Sequence, residues 1–263
     1  MNNPPCFIFL HGGLCNQLFQ IAAAYAHSKR HGYSLVISQT ASGGRPTYFK
    51  SLLHKFASYV GKPPAAAKFW RDPQFSYTPI PAEANTLRGF YQSDAYFQDI
   101  KTEIVELFTL PPPLRFAVGH KHAALLTPEL RSNAIVVHVR RTDYIGSVKH
   151  GILDLPYYER AVAEVRKHNP DGQLLVFSDD LEWCRAQSVF ADAIMVDESV
   201  DVAALYLMSQ YRHIVIANST FSWWAAYMGP QPKTVIAPSR WFGSTGPADT
   251  ADLYLDHWHL VDV

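Results

Sequence analysis

The chain has 263 residues, which allow one large domain or two smaller ones. Hydrophobic residues make up 48% of it and charged residues 17%, as in soluble globular proteins, and no apolar run approaches the roughly 20 residues that a membrane-spanning helix needs. Lysine plus arginine equals aspartate plus glutamate at 23 each, without a long basic run, so we expect no nucleic-acid partner.

The chain opens like an α/β protein. Met1–Pro5 lacks the positively charged segment and long apolar core of a secretory signal, so we expect a cytoplasmic protein with at most peripheral membrane association. Phe7–Leu10 is an apolar strand, and the residues from Asn16 to about Arg30 form a helix with one apolar face. Between them, Gly12 and Gly13 permit positive φ, and the free N–H groups of the helix start could hold an anion or an acceptor. A purely structural turn is the alternative.

The remainder of the first half is less regular. Pro63–Pro81 mixes proline, alanine and aromatic residues without a period, and we interpret it as irregular surface structure that could line an acceptor cleft. The other predicted elements are a strand at Leu35–Ser38, a helix at Phe49–Val60, a strand at Thr86–Tyr91 and a helix that is capped by Ser93 and runs to about Phe108. Because Pro111, Pro112 and Pro113 cannot continue that helix, we predict one domain at residues 1–112 and a second at residues 113–263.

In the second half, short apolar strands alternate with helices. The predicted strands are Ala134–Arg140, Gln173–Ser178, Ile194–Val196, His213–Ala217 and Thr234–Ala237. The predicted helices are Tyr157–His168, a segment through Trp183, Val202–Tyr211 and Thr220–Met228. This alternation is typical of right-handed βαβ units, so the second half is predicted to be Rossmann-like. Two such halves would leave a cleft between them, where ligands often bind.

Three of these strands end in polar side chains, which would meet at one edge of a parallel sheet. Two adjacent arginines there could bind a phosphate or carboxylate bidentately, and hydroxyl groups at a helix start could cradle a phosphate. The side chains are His138, Arg140, Arg141 and Asp143 after one strand, Asp179 and Asp180 after the next, and Asn218, Ser219, Thr220 and Ser222 after a third.

Each of these groups also has a structural interpretation. Arg141 can form an ion pair with Asp143, and Ser219 can simply cap a helix. Asp179 and Asp180 can accept hydrogen bonds from guanine, bind a sugar hydroxyl or cap the next helix. The convergence of arginines, hydroxyl groups and carboxylates on one edge fits a nucleotide diphosphate best. The neighbouring Trp223 and Trp224 are interpreted as packed core.

Several competing chemistries lack their motif. There is no G-x-G-x-x-G for a dinucleotide, the Gly146–Gly151 frame lacks the Lys-Ser/Thr of an NTPase loop, and no G-x-S-x-G nucleophile elbow occurs. Cys6, Cys15 and Cys184 lie far apart without C-x-x-C spacing, which predicts free thiols. Strict D-x-D is also absent, which disfavours a sugar-nucleotide enzyme that holds Mn²⁺ or Mg²⁺ and leaves arginine to neutralise the leaving group.

Five motifs together resemble those of the α-1,2-fucosyltransferase family, glycosyltransferase family 11, which is similar more widely to α-1,6- and protein O-fucosyltransferases. The motifs are G-G-L-C-N-Q-L-F-Q at Gly12–Gln20, G-F-Y-Q-S-D-A-Y-F at Gly89–Phe97, H-V-R-R-T-D-Y at His138–Tyr144, F-S-D-D at Phe177–Asp180 and N-S-T-F-S-W-W at Asn218–Trp224. The resemblance implies a GT-B-type α/β fold with two Rossmann-like halves facing a cleft. It further implies GDP-β-L-fucose as donor, a galactose-containing glycan as acceptor, inversion at the anomeric carbon and no metal or other cofactor.

The resemblance also implies roles for individual residues. Arg140 matches the family's diphosphate-binding arginine, and His138 the histidine near the nucleotide. Asp179 or Asp180 would read guanine. The residues implied to line the phosphates and fucose are Ser219, Thr220, Phe221 and Ser222, and those of the first-half loop implied to face the donor are Gly13, Asn16 and Gln17. Cys15 stands where the family usually has glycine, which puts the close approach of that loop in question.

The implied mechanism is an SN1-like inverting displacement. Arg140 and the helix start at Thr220 would stabilise the charge that develops on the leaving diphosphate. Asp143 or Asp94 could act as general base, while Asp143 could instead orient Arg141. A GDP-sugar-binding protein without transferase activity, or a fucosyltransferase of another linkage, is the alternative function.

Overall fold

A computed structural model describes residues 3–73, 75–230 and 233–263. Met1 and Asn2, on which the expectation about the chain start partly rests, and Gln74 of the predicted irregular region lie outside the described residues. The chain forms two compact α/β units, and the expected α/β fold class of the GT-B type is confirmed. One unit comprises the residues up to Leu114 together with Asp249–Leu255, and the other comprises Arg115–Ala248 together with Asp256–Val263.

The first unit contains a parallel sheet of four strands in the order β2-β1-β4-β3. Its elements are β1 (Pro5–His11), α1 (Leu14–His31), β2 (Ser34–Ser42), β3 (Phe69–Arg71), β4 (Thr86–Arg88) and α2 (Lys101–Leu107), with short 3₁₀ helices at His54–Tyr59, Asp94–Tyr96 and Gln98–Ile100. The strand β1 is central and packs on α1, whose apolar face is buried as its periodicity predicts. Gly32 ends α1 because it adopts a left-handed φ of 69°.

Three sequence-based expectations for this unit are wrong in detail. The helix expected at Phe49–Val60 is a 3₁₀ helix confined to its second half. Ser93 does cap a helix, because its side chain accepts from the Ala95 N–H, but the capped element is a single 3₁₀ turn. Phe97, with a φ of −147° and a ψ of 11°, is not helical and interrupts the predicted helix, and α2 starts only at Lys101. The region expected to be irregular contains the short strand β3.

The three prolines do not act as an extended linker. Pro112 begins the helix α3 (Pro112–Lys121), since proline fixes a helical φ and its missing N–H is not needed in a first helical turn. In the sequence, the boundary between the two units lies within α3, after Leu114. The segment Asp249–Leu255 belongs to the first unit, although the predicted division at residue 112 assigns it to the second. It is joined to the first unit by hydrogen bonds from Ser76 Oγ to Asp249 and from the Tyr77 N–H to Asp252.

The second unit is the regular βαβ structure expected from the sequence. Its six strands are all parallel, in the order β10-β9-β8-β5-β6-β7. After a 3₁₀ turn at Ala123–Leu125, its elements are α4 (Pro128–Asn133), β5 (Ile135–Val139), α5 (Leu155–Arg166), β6 (Leu174–Ser178), α6 (Leu181–Arg185), β7 (Ile194–Met195), α7 (Asp201–Ser209), β8 (His213–Val215), α8 (Thr220–Tyr227), β9 (Thr234–Pro238) and β10 (His259–Val261), with a 3₁₀ turn at Ser188–Phe190. A further 3₁₀ turn at Ala251–Leu253 belongs to the segment that joins the first unit. The edge strand β10 follows the last strand that was predicted from the sequence.

The core of the second unit explains the sequence pattern. All five residues of β5 are buried, because β6 and β8 flank it in the sheet and helices cover its faces. Trp223 and Trp224 have no exposed surface, which confirms that they are packed core. The three cysteines are free and buried, as predicted. None of the helices in the described parts of the chain has the length and hydropathy that a membrane crossing requires.

Candidate functional site

The three polar strand ends of the second unit do meet at one edge of its sheet. Val139 of β5 lies opposite Ser178 of β6 in the parallel register, so the segments that follow these strands start side by side. On the other side of β5, the segment after β8 leads to α8, and the His138 ring lies 5.6 Å from the Phe221 ring. Tyr144 Oη donates to the carbonyl oxygen of Asn218 at 3.2 Å. The candidate site is therefore a continuous cluster at the carboxyl edge of the sheet.

Arg140 lies in the middle of this cluster, between two carboxylates. Its Nε is 2.8 Å from Asp143 Oδ1, and its Nη1 is 3.2 Å from Asp179 Oδ2. Burial by itself would lower the pKa of Arg140, but the hydrogen bond to Asp143 and the charges of both carboxylates raise it overall. The side chain remains 34% exposed. Arg140 is thus a permanently charged, fixed group that solvent can reach.

The side chain of Arg141 contacts other residues than that of Arg140 does, and these contacts fix the loop after β5. Its Nε donates to Asp180 Oδ2 at 3.1 Å, and its Cζ lies 3.9 Å from the centroid of the Trp183 ring. The alternative interpretation in which Arg141 pairs with Asp143 is therefore wrong, since Asp143 pairs with Arg140 and Asp180 with Arg141. Asp180 also caps α6 by accepting from the Trp183 N–H at 3.1 Å, as the structural interpretation anticipated.

Asp179 holds the loop after β5 in place. Its carboxylate accepts from the Arg141 N–H at 2.9 Å, from the Thr142 N–H at 3.2 Å and from the Thr142 hydroxyl at 2.5 Å, besides its ion pair with Arg140. Burial acts to raise the pKa of Asp179, but these donors and the Arg140 charge outweigh it, and the net shift is downward. The role of Asp179 or Asp180 in reading guanine stays a prediction.

His138 is the buried member of the cluster. It is 5% exposed, and its Nδ1 has no hydrogen-bond partner within the described ranges. Burial and the neighbouring Arg140 charge lower the pKa of His138 to about 3, against the opposing effect of Asp179. The imidazole is therefore neutral at physiological pH and can donate or accept a hydrogen bond without adding charge.

The start of α8 presents some of its predicted residues and buries another. Ser219 is the N-cap, and its hydroxyl accepts from the Phe221 N–H at 3.3 Å. Thr220 and Phe221 are partly exposed next to it. Ser222 is fully buried, and its hydroxyl donates to the carbonyl oxygens of Ala217 and Ser219. The structure thus places Ser222 behind the surface, where it supports the turn.

Asn218, one of the polar side chains expected at this edge, is a positioning residue, a role that the sequence did not predict. Its side-chain Nδ2 lies 3.0 Å from each of three carbonyl oxygens, those of His150, Gly151 and Trp241. The two loops held in this way pack backbone on backbone, because a Cβ at Gly243 would lie 2.2 Å from the carbonyl oxygen of Val148. No local pattern reveals this role, since the three acceptors lie 23 to 68 positions away.

The predicted glycine loop of the first unit lies between β1 and α1. Gly12 requires its positive φ of 77°, whereas Gly13 is the extended N-cap of α1. Asn16 Oδ1 accepts from Gln92 Nε2 at 2.9 Å, so a residue of another motif fixes its side chain. Gln17 is fully buried, with Nε2 donating to the carbonyl oxygens of Gly12 and Pro46. Cys15 lies buried in the first turn of α1, which accommodates the side chain in the position where the family usually has glycine.

Comparison with known proteins identifies the family. The family model described as glycosyl transferase family 11 matches residues 65–262. The chain belongs to glycosyltransferase family 11. It is 28% identical to an alpha-1,2-colitosyltransferase of Escherichia coli, over 89% of this chain and 91% of that protein. It is 26% identical to a galactoside 2-alpha-L-fucosyltransferase of Bos taurus, over 86% of this chain and 65% of that protein's length.

Solved structures show the same relationship at the level of the fold. The fucosyltransferase NodZ from Bradyrhizobium superposes with a TM-score of 0.57 at 14% identity and covers 88% of this chain and 95% of its own. The apo form of POFUT1 superposes with a TM-score of 0.56 at 13% identity, over 89% and 97% of the two chains. The resemblance to family 11 and to its wider relatives is confirmed, and the protein is a glycosyltransferase.

Proposed function

We propose that this family 11 glycosyltransferase transfers L-fucose from GDP-β-L-fucose to the 2-hydroxyl of a galactoside, with inversion and without a metal ion. The observation that carries the proposal is Arg140, a permanent cation fixed between two carboxylates at the carboxyl edge of the sheet and one-third exposed. A leaving diphosphate needs such a group, because negative charge develops on it as the glycosidic bond breaks. The relatives named for α-1,2 transfer support the linkage.

The contacts of Arg140 suggest how the donor would bind. Asp143 is 55% exposed, whereas Asp179 is 18% exposed and accepts hydrogen bonds from the backbone. Asp143 is therefore the partner that a ligand can displace more easily. A diphosphate that approaches Arg140 would displace Asp143 and keep Asp179 as the rear support. Asp143 would then be released beside the reacting centre, which is where a general base is needed. One residue would orient the arginine before binding and accept a proton afterwards.

The substitution Asp143→Asn separates these two roles. If Asp143 acts as base, kcat falls at least about 100-fold while KM for the donor changes little. If Asp143 only competes with the diphosphate for Arg140, the variant binds the donor at least as well and keeps its kcat. The second result would remove the base role and leave the transferase proposal intact.

Metal independence is proposed from the state of the carboxylates. Each carboxylate at the sheet edge is paired with an arginine: Asp143 and Asp179 with Arg140, and Asp180 with Arg141. A cation would have to break these ion pairs, while the guanidinium already supplies the positive charge that the leaving group needs.

The decisive experiment incubates the protein with GDP-fucose, EDTA and a panel of galactosides, and then determines the linkage of the product. We expect α-1,2-linked fucose at an unchanged rate with EDTA. A product of another linkage would support the other-linkage alternative, and saturable GDP-fucose binding without transfer or hydrolysis would support a binding protein. Loss of transfer with EDTA, restored by a divalent ion, would refute the metal-free mechanism.

The donor sugar has a second candidate. The E. coli relative is named an α-1,2-colitosyltransferase, and the chain covers 91% of its length. GDP-fucose and GDP-colitose should therefore be compared as donors with the same acceptor. A kcat/KM at least tenfold higher with GDP-colitose would replace fucose in the proposal and leave the role of Arg140 unchanged.

A further inference from the structure

A second cluster of potential ligands lies at the opposite edge of the same sheet. Glu164 is in α5, His168 lies just beyond its end, and His259 is the first residue of β10. One ligand atom from each of them lies within 4.8 Å of the others, and this is the sole such trio of His, Cys, Asp or Glu side chains within the described ranges. The Arg140 site follows the carboxyl ends of the strands, whereas His259 begins a strand.

Local geometry directs these three side chains at one another. Arg160, Glu164 and His168 are spaced by four residues, and the turn continues past α5 because the His168 N–H donates to the carbonyl oxygen of Val165. Residues with this spacing share one helix face. That face is turned towards β10, since Arg160 Nε and Nη2 donate to the carbonyl oxygen of Asp262 at 3.2 and 3.0 Å.

We propose that Glu164, His168 and His259 bind a divalent ion of the zinc class. Two imidazoles and one carboxylate are a ligand set that suits zinc and its neighbours among the transition metals, whereas Mg²⁺ and Ca²⁺ prefer oxygen ligands. The three residues would occupy three positions of a four-coordinate ion, and water would complete it.

The ligands are close to binding geometry but have not converged. With bonds of about 2.0 to 2.1 Å, ligand atoms around a tetrahedral zinc ion lie about 3.4 Å apart. The spacing of up to 4.8 Å therefore has to shrink by up to about 1.4 Å, which exposed side chains achieve by rotation about their side-chain bonds. The two histidine rings already lie 4.9 Å apart between centroids. Glu164 would exchange its exposed ion pair with Lys167 for the metal.

A bound ion would join β10 to the helix behind it. The strand β10 is at the edge of the sheet, paired only with β9 through three register positions. Cross-linking it to α5 would stabilise this end of the second unit. Because the ion would bind the folded arrangement of three residues from two elements, it would raise the temperature of unfolding. The ion takes no part in sugar transfer.

The test measures binding of Zn²⁺ to the full chain by equilibrium dialysis and unfolding by calorimetry. We expect one ion per chain, with a dissociation constant on the order of micromolar because exposed side chains must be ordered, and a higher Tm in excess ZnCl₂. His259→Ala and Glu164→Gln should each weaken binding at least tenfold and abolish the shift in Tm.

His120→Ala is the matched control, since it removes an exposed histidine outside the cluster. It should leave affinity and the shift in Tm unchanged. Absence of saturable binding to the unmodified chain, or unchanged affinity in both His259→Ala and Glu164→Gln, would overturn the proposal. So would an equal loss of binding in His120→Ala. None of these outcomes depends on transferase activity, so they do not decide the proposed function.

Discussion

Replacing Arg140 by lysine tests the proposed diphosphate contact, because the change keeps the charge and removes the planar fork. An ammonium group cannot keep both Asp143 and Asp179 in the positions that the guanidinium bridges and also meet the donor. Loss of a preorganised group that stabilises developing charge costs about 2.7–4 kcal/mol, so we expect kcat/KM to fall about 100- to 1,000-fold. Stability should change by only about 0–1 kcal/mol, since the guanidinium and Asp143 are partly exposed.

Arg141→Lys is the matched control, because Arg141 is adjacent but is held by Asp180 and Trp183. Its side chain is 16% exposed, and losing the contact with the indole face should cost about 1–2 kcal/mol of stability. The assays are initial rates of GDP release and of fucosylated product, with urea unfolding of both variants. Activity of Arg140→Lys within threefold of the unmodified enzyme would refute the reasoning. Equal losses of activity in the two variants at unchanged stability would refute the distinction between them.

Three further predictions concern the packing around the site. Asn218→Ala should lower the free energy of unfolding by about 2–3 kcal/mol in urea, because it removes the amide donor from three carbonyl oxygens, of which that of Trp241 is buried and the other two are partly buried. An unchanged midpoint would contradict the positioning role of Asn218. Gly243→Ala should lower the free energy of unfolding by about 1–3 kcal/mol, because its Cβ would clash with the carbonyl oxygen of Val148. The control Gly119→Ala, at a helical position with open space around it, should leave the protein as stable or make it more stable. Equal effects of the two substitutions would contradict the close approach of the two loops at Gly243. The folded-state pKa of His138 is lowered from 6.5 to about 3, so between these pH values only the unfolded chain binds a proton at this residue. The free energy of unfolding should therefore decrease as the pH drops from about 6.5 to 3, by up to about 1.4 kcal/mol per pH unit. His138→Gln should make the decrease shallower between pH 7 and 4, and an identical slope would refute the shift.

The second half of the fold could be predicted because its signals are local. The apolar β-branched run in β5 and the alternation of strands with helices are sufficient to predict a parallel sheet. The short strands β3 and β10 have three residues each and no periodic pattern, and pairing with a neighbour defines them. The role of Pro112 also depends on context, since the same residue can end one helix and begin another.

For the site, the sequence predicts which residues gather at the sheet edge, but it does not predict which of them pair with one another. Strand ends show that arginines and carboxylates gather at one sheet edge, because parallel register brings Val139 and Ser178 together. Which of two arginines meets which of three aspartates depends on side-chain direction beyond the strand. Asp143 pairs with Arg140, although the sequence is equally compatible with a pair between Asp143 and Arg141. The contacts of Asn218 arise only from the folded loops.

The assignment of Asp249–Leu255 to the first unit has a practical consequence for exchanging parts between family members. The chain enters the first unit a second time near its end and then returns to supply β10 to the second sheet. A chimera joined once, after Leu114, would place a foreign Asp249 and Asp252 against Ser76 and Tyr77. A recombinant that keeps each unit intact needs three junctions, after residues 114, 248 and 255, so that seven residues travel with the first unit.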